Sequence, residues 1–234
     1  MGEKKFIEVE DREEIAAVHH KTDSDKWIFF CHGYGMHKGG SYKQRAKRAV
    51  DEGFNAVRFD FRGNGESDGE FIDQSLSSRI NDLKACIKFF EPEKIYLFGM
   101  SFGGKVVSHA TQDLEIEALI LKSPVTYNSI MDKFRAVVEE KGTHTLFDDK
   151  TIDERFFEDF DTYSFDDVAK GLDAPVAIFH GGADTTVHFE NSTEATEAFE
   201  TDVLLHKLEG EKHSMSDTGE EKIRDIMFTW LDQI

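Results

Sequence analysis

Short apolar runs alternate with longer stretches of helical periodicity along this chain. The apolar runs predict strands at residues 27–31, 56–59, 95–98, 118–121, 176–179 and 203–208. The periodic stretches predict helices at residues 40–51, 78–90, 102–110, 192–199 and 218–231. Because strands that alternate with helices pair in parallel, this pattern predicts an α/β fold with a mostly parallel sheet flanked by helices on both faces.

Two parts of the chain depart from this alternation. Residues 6–9 and 15–19 are neighbouring apolar runs that predict an antiparallel strand pair at the start of the sheet. Residues 125–171 mix helical and loop patterns, are dense in Phe, Tyr, Asp and Glu, and show no clear strand. We therefore predict a core domain of residues 1–124 and 172–234, with a short inserted cap at residues 125–171.

Charge and hydropathy narrow the range of partners. The 47 acidic and 28 basic residues give a formal charge of -19, which repels nucleic acid and anionic membrane surfaces, so neither is an expected partner. This surplus of acid fits either an ordinary solvated surface or adaptation to high salt. The N-terminus is charged from its third residue and no stretch has membrane-spanning length, which predicts a cytoplasmic protein. Cys31 and Cys86 are expected to be buried and free.

The clearest motif lies between the predicted strand 95–98 and the predicted helix 102–110. Residues 99–103 read GMSFG and match G-x-S-x-G, in which a sharp turn exposes the Ser101 hydroxyl and the glycines leave room for it. An ordinary glycine-rich turn is the structural alternative. The same segment also resembles a phosphate-binding G-x-x-x-x-G-K loop, but Val106 stands where Ser or Thr would bind magnesium. Lys105 is then expected to be a solvated helix residue.

Two further residues follow strands that we expect beside this motif. Asp184 comes after the strand at 176–179, and His213 comes after the strand at 203–208. Because the carboxyl ends of parallel strands meet at one edge of a sheet, Ser101, Asp184 and His213 are predicted to converge there. His180 and His188 are less well placed for the role of a base.

These motifs resemble the α/β-hydrolase family, in which nucleophile, acid and base follow one another in this order. The resemblance implies that Ser101 is the nucleophile, Asp184 the orienting acid and His213 the general base. It also implies that the backbone N–H groups of Tyr34 and Phe102 form an oxyanion hole, because residues 32–34 read HGY after the strand at 27–31.

Three other features bear on the same resemblance. Residues 60–67, DFRGNGES, are similar to the family's D-x-R-G-x-G-x-S loop, which has a scaffolding role. His188 departs from the pattern, since the family usually has Pro there. No acid follows the strand at 118–121, the family's alternative place for the third triad member, so Asp184 is the candidate that remains.

The resemblance extends to small carboxylesterases of the cinnamoyl or feruloyl esterase and monoacylglycerol lipase types. It implies acyl transfer through an acyl-enzyme on a small-molecule ester of a medium-chain or aromatic acid, with neither metal ion nor organic cofactor. A peptidase, amidase or acyltransferase with the same triad, and a non-catalytic binding protein of this fold, stay open as alternatives. The sequence leaves the oligomeric state undetermined.

Aromatic residues of the predicted cap have two possible roles. They can line an apolar acyl or aryl pocket, or they can attach the segment to the core. These residues are Tyr127, Phe134, Phe147, Phe156, Phe157, Phe160, Tyr163 and Phe165.

Overall fold

The computed structural model describes residues 2–147 and 149–234, with the side chains of Asp11 and Phe147 left out. Its strands are β1 Glu3–Glu8, β2 Glu14–His20, β3 Lys26–Cys31, β4 Asn55–Phe59, β5 Lys94–Met100, β6 Ala118–Lys122, β7 Thr143–Phe147, β8 Lys150–Asp153, β9 Val176–Gly181 and β10 Val203–Leu208. Its α-helices are α1 Ser41–Asp51, α2 Leu76–Phe90, α3 Phe102–Ala110, α4 Asp132–Lys141, α5 Glu154–Phe160, α6 Phe165–Gly171, α7 Phe189–Ala198 and α8 Asp217–Leu231.

Eight of these strands form one sheet in the order β1-β2-β4-β3-β5-β6-β9-β10. Strand β2 pairs antiparallel with β1 and with β4, and the remaining neighbours pair in parallel. The sheet confirms the predicted α/β architecture and its antiparallel N-terminal pair. Strand β5 lies between β3 and β6, so its carboxyl end emerges near the middle of the sheet edge.

The core lies on both faces of this sheet, as the apolar runs predict. In β3, Phe29 and Cys31 pack on the face that α2 and α3 cover, while Ile28 and Phe30 pack on the face that α1 and α8 cover. Buried parallel strands need apolar residues at every position, which is why these runs are continuous and do not alternate. Cys31 and Cys86 are both buried and free. Within the described part of the chain, every helix falls short of the length and apolarity that a bilayer crossing requires.

The segment between β6 and β9 contains a feature that the sequence pattern missed. Strands β7 and β8 form a separate two-stranded antiparallel sheet there, so the expectation of helix and loop without a strand was wrong. Both strands are short, and β7 carries exposed or half-exposed Thr143, His144 and Thr145 in place of an apolar run. Helices α4, α5 and α6 complete this segment. The boundary of a cap at residues 125–171 stays a prediction.

Lys105 is also placed differently from the prediction. Helix α3 is covered by α2 on one side and α6 on another, and the Lys105 side chain is 1% exposed. Its Nζ donates to the carbonyl oxygen of Thr126 at 2.9 Å and lies 4.8 Å from the centroid of the Phe160 ring. Burial lowers the pKa of Lys105 to about 7. A lysine in a helix without a solvent-facing side cannot be solvated, so that expectation was wrong.

Candidate active site

The turn between β5 and α3 carries Ser101 in a strained backbone conformation. Its φ of 54° and ψ of -120° lie in a region that residues with a Cβ rarely adopt. The Ser101 N–H donates to the carbonyl of Lys122 at 2.9 Å, and the Ser101 carbonyl accepts from the N–H of Val125 at 3.0 Å. Hydrogen bonds to Lys122, at the end of β6, and to Val125, just after it, therefore hold the turn in place.

Two glycines make this turn possible through close backbone packing. A Cβ on Gly99 would lie 2.4 Å from the carbonyl oxygen of Gly103. A Cβ on Gly103 would lie 2.5 Å from the carbonyl oxygens of Cys31 and His32. Helix α3 can thus begin directly against the ends of β3 and β5 only because both positions lack a side chain.

Asp184 and His213 meet at the same edge of the sheet. The distance between His213 Nδ1 and Asp184 Oδ2 is 2.7 Å, and Asp184 Oδ1 accepts from the N–H groups of Thr186 at 2.8 Å and Val187 at 3.0 Å. Burial of Asp184 alone would raise its pKa, but hydrogen bonds from His180 and His213 and the nearby histidine charge lower the pKa overall. The carboxylate therefore stays ionised and acts as an acceptor at both oxygens.

His180 supports Asp184 from inside the sheet, a role that sequence reasoning missed. Its Nε2 lies 2.9 Å from the carbonyl oxygen of Val187 and 3.2 Å from Asp184 Oδ2, and its Nδ1 lies 2.7 Å from Ser192 Oγ. Both Nε2 neighbours are acceptors, so Nε2 carries the proton and the Ser192 hydroxyl donates to Nδ1. In the sequence, this role was indicated only by the position of His180 directly after the apolar run of β9, where a buried imidazole needs polar partners.

Replacing His180 with leucine is expected to lower the free energy of unfolding by about 3 kcal/mol, because the Val187 carbonyl and the Ser192 hydroxyl lose their partner in a buried place. Urea denaturation would measure this loss. His188→Leu is the matched control, because His188 is exposed, and its effect should stay within about 0.5 kcal/mol. Equal stability of the two variants would contradict the role given to His180.

The loop after β3 brings Tyr34 next to Phe102. Their ring centroids are 4.8 Å apart, and a Cβ on Gly33 would lie 3.3 Å from Ser101 Cβ, so this loop passes close to the Ser101 turn. Among the described residues, the N–H groups of Tyr34 and Phe102 have no protein acceptor. Two backbone donors beside Ser101 are thus available to a ligand.

Hydrogen bonds of His32 and Asp60 hold the loop after β3 in place. His32 is buried, its Nδ1 lies 2.8 Å from the carbonyl oxygen of Gly33, and its Nε2 accepts from the Phe61 N–H at 3.2 Å. Burial lowers the pKa of His32 to about 4, so it is neutral and bridges two loops. The buried Asp60 carboxylate accepts from the N–H and Nζ of Lys38. Both contacts fit the scaffolding role that the resemblance implied.

A pocket of about 200 Å³ opens at Ser101. Ser101 and His213 both line it, without a direct hydrogen bond between their side chains, and Gly33, Tyr34 and Phe102 also contribute to its wall. Its other described lining residues are Met36, Met100, Val125, Ile130, Met131, Phe134, Leu146, Thr186, Val187 and Ser214. None of these lining residues is Asp, Glu, Lys or Arg. The pocket is therefore suited to an apolar group beside Ser101.

A second, more polar pocket of about 280 Å³ adjoins the first. The two share Ile130, Thr186 and Val187 as a common wall. The remaining residues of the second pocket are Ser129, Lys133, His188 and Asn191. Among the described residues, no group of three or more His, Cys, Asp or Glu side chains is arranged to hold a metal ion.

The aromatic residues of the segment between β6 and β9 divide between the two roles expected of them. Phe134 lines the pocket. Phe156, Phe157, Phe160 and Phe165 are buried in the core, and Tyr127 and Tyr163 pack against it. The Phe147 side chain lies outside the described residues. Most of these rings therefore attach the segment to the sheet domain.

A family model described as "Serine aminopeptidase, S33" matches residues 22–148, which is more than half of the chain. The matched region includes the Ser101 turn, the loop that carries Tyr34 and the loop at residues 60–67. The chain belongs to this hydrolase family. Residues Asp184 and His213 lie beyond the matched region.

Individual relatives of this hydrolase are distant. It is 26% identical over 182 residues to the lysophosphatidylserine lipase ABHD12 of Danio rerio, a match that covers 70% of this chain and 44% of the lipase. The chain spans less than half the length of the first curated relatives that it matches.

Two solved structures show the same fold as the hydrolase. Est1E from Butyrivibrio proteoclasticus with bound ferulic acid has a TM-score of 0.86 at 22% identity, covering 98% of both chains. The monoacylglycerol lipase of Paleococcus ferrophilus has a TM-score of 0.76 at 20% identity, covering 93% of this chain and 98% of the lipase. The fold is therefore the α/β-hydrolase fold over nearly its whole length.

Proposed function

We propose that this hydrolase cleaves carboxylic esters of medium-chain or aromatic acids through an acyl-enzyme on Ser101. Asp184 orients His213, and His213 acts as general base. The observation that carries the proposal is the 2.7 Å hydrogen bond from His213 to the buried Asp184 carboxylate, beside a strained serine turn that opens into the same apolar pocket. Acyl transfer needs all of these features in one place.

The first half-reaction follows from the direction of these contacts. Because His213 Nδ1–H donates to Asp184, the lone pair is on Nε2, where it can take the Ser101 proton. The Ser101 oxygen then attacks the ester carbonyl carbon, and the carbonyl electron pair moves onto oxygen. Collapse of this intermediate expels the alcohol, which receives the proton from His213 and leaves an acyl-Ser101 ester.

The negative oxygen of that intermediate is expected to lie against the N–H groups of Tyr34 and Phe102. Each such preorganised donor contributes about 3 to 4 kcal/mol to transition-state stabilisation in hydrolases of this kind. Water then attacks the acyl-enzyme with the same base and the same donors, and Ser101 is restored. No step asks for a group outside the residues named.

The pocket wall supports an apolar acyl group. Most of its side chains are methionine, valine, leucine, isoleucine and phenylalanine, and the adjoining polar pocket offers a place for the departing alcohol. Est1E, which shares the fold, binds ferulic acid, an aromatic acid, and the ABHD12 relative is a lipase for lysophosphatidylserine. Both are consistent with an apolar acyl group on this serine.

A peptidase is the second candidate, because the matching family model is described as a serine aminopeptidase. An aminopeptidase has to bind the terminal ammonium group of its substrate, and a carboxylate usually does so. Among the described lining residues of the Ser101 pocket there is no such carboxylate. The lack of a carboxylate favours an ester substrate over a peptide. If aminoacyl p-nitroanilides were turned over faster than p-nitrophenyl esters, the peptidase would become the preferred candidate.

Covalent labelling by a fluorophosphonate tests the proposal directly, because the reagent reacts with an activated serine. The native protein should be labelled at Ser101, as mass spectrometry of its peptides would show, and the heat-denatured protein should not. Ser214 lines the same pocket, so Ser214→Ala is the matched control and should still be labelled. Absence of labelling in the native protein would contradict the proposal and favour a binding role.

The acyl preference should depend on the segment between β6 and β9. We expect p-nitrophenyl esters from acetate to laurate to show an optimum at medium chain length. Phe134→Trp should narrow the pocket and lower kcat/KM for laurate relative to butyrate by about tenfold, since overfilling a packed site costs about 1 to 3 kcal/mol. Phe89→Trp, the same exchange at an exposed position, should leave the ratio unchanged. An unchanged ratio in Phe134→Trp would exclude this wall from the acyl site.

A further inference from the structure

Arg79 on helix α2 is a buried cation without a hydrogen-bond partner. Arg79 is 1% exposed, and the Nε, Nη1 and Nη2 atoms of its side chain have no hydrogen-bond acceptor among the described residues. The other buried arginines have hydrogen-bond partners: Arg45 contacts Glu220, Arg62 Nε lies 2.7 Å from Asp82 Oδ1, and Arg58 Nη1 donates to the Lys38 carbonyl at 2.9 Å. Burying a charge without a partner costs free energy of folding, so some other interaction has to stabilise Arg79 in the interior.

Aromatic rings surround the guanidinium group. Its Cζ lies 5.2 Å from the ring centroids of Tyr34 and Phe61, 5.5 Å from that of Phe71 and 5.7 Å from that of Phe102. The negative face of an aromatic ring attracts a cation most strongly when water is excluded. These four rings therefore stabilise the buried guanidinium charge in place of a carboxylate partner.

Two of the four rings belong to the residues whose N–H groups face the substrate oxygen in the proposed function. Tyr34 and Phe102 line the Ser101 pocket, and Arg79 does not. The guanidinium group thus lies against the rings of the two residues that carry these N–H groups, and it is not part of the pocket wall. Among the described residues no carboxylate forms an ion pair with Arg79, and Asp82, whose charge acts on it, is hydrogen-bonded to Arg62.

We propose that Arg79 is a positioning residue of the oxyanion hole, which holds the rings of Tyr34 and Phe102 and stabilises the substrate oxyanion through its buried charge. This inference rests on the proposed function. Electrostatic stabilisation of this kind acts on the charge that develops in the transition state and not on the neutral ester. It should therefore appear in kcat and leave KM unchanged.

A neutral residue of similar length provides the first test. Arg79→Met is expected to lower kcat about tenfold, the size of a Coulomb attraction across several ångströms of protein at an effective dielectric constant of about 20, with an unchanged KM. Affinity for a trifluoromethyl ketone, which forms an oxyanionic adduct with Ser101, should fall by the same factor. Arg135→Met is the matched control, because Arg135 lies 4.6 Å from the Phe157 ring but outside the Ser101 pocket, and it should retain the wild-type kcat.

A lysine at the same position allows the charge to be switched off within one folded protein. Burial depresses the pKa of a lysine, as it does for Lys105, so Arg79→Lys should be charged below about pH 6 and lose its proton as the pH rises towards 9.5. Its kcat should accordingly fall relative to wild type over that range, by up to about tenfold, because arginine stays charged throughout. The titratable groups that face this position are Tyr34, His32 and Asp82, and they are the same in both proteins.

Several results would overturn the inference. One is a wild-type kcat in Arg79→Met, and another is an Arg79→Lys profile that runs parallel to wild type from about pH 6 to 9.5. If Arg79→Met does not fold, as judged by near-UV circular dichroism, the lysine profile decides alone. Failure of the proposed function would look different: wild type itself would show no ester turnover, or Ser101→Ala would retain it, and the inference would fall together with that function.

Discussion

Ser101→Ala is expected to lower kcat for p-nitrophenyl ester hydrolysis by about six orders of magnitude, to a rate indistinguishable from background. Without the hydroxyl oxygen no acyl-enzyme can form, and His213 has no proton to take. Alanine keeps the Cβ of serine, so the strained φ of 54° imposes no new cost and the protein should remain folded. Initial rates at high protein concentration and urea denaturation of both proteins would measure the two effects.

The control for this prediction is the other serine at the pocket. Ser214→Ala removes a hydroxyl from the same lining and should keep kcat within about threefold of wild type. Turnover that survives in Ser101→Ala but is lost in Ser214→Ala would move the nucleophile to Ser214. Turnover that survives in both variants would refute a serine mechanism altogether.

Asp184→Asn is expected to lower kcat by about four orders of magnitude while the fold persists. The reason lies in the four donors around the carboxylate. If the new amide nitrogen takes the Oδ1 place, it opposes the N–H groups of Thr186 and Val187. If it takes the Oδ2 place, it donates to His213 Nδ1, which moves the histidine proton to Nε2 and leaves no lone pair for Ser101.

The steady-state rate at neutral pH measures this loss, and Asp173→Asn serves as its control. Asp173 is an exposed acid before β9, at the opposite end of that strand from Asp184, so its replacement should leave kcat unchanged. A loss of less than about tenfold in Asp184→Asn would mean that His213 is held in the reactive tautomer by another group.

The parts of the fold that follow from continuous burial could be predicted from the sequence. Strands β3, β5, β6 and β9 are buried on both faces, so each is a visible apolar run, and the G-x-S-x-G turn fixes the junction of β5 and α3. The β7–β8 hairpin could not be predicted, because its strands pack little apolar surface and so carry no periodic pattern. Lys105 was misplaced because a single polar residue does not reveal that its helix is covered on all sides.

That the candidate site residues lie close together could also be predicted from the sequence. Strand-end positions indicated that Asp184 and His213 would lie near Ser101, and the structure brings the acid and the imidazole into hydrogen-bond contact while placing Ser101 in the same pocket. The contacts of His180 and Arg79 were not predictable. They depend on which partners a buried group finds or lacks in three dimensions, and residue spacing carries no information about that.

The proposed catalytic residues and the apolar wall come from different segments of the chain. Ser101, Asp184 and His213 follow strands of the large sheet, whereas Ile130, Met131, Phe134 and Leu146 belong to the stretch between β6 and β9. Exchanges at these four wall positions can accumulate without displacing Ser101, Asp184 or His213, because none of the four is hydrogen-bonded to those residues. Evolution can therefore retune what this scaffold accepts while the inherited chemistry stays fixed, and a segment graft from a relative is the natural unit for redesigning it.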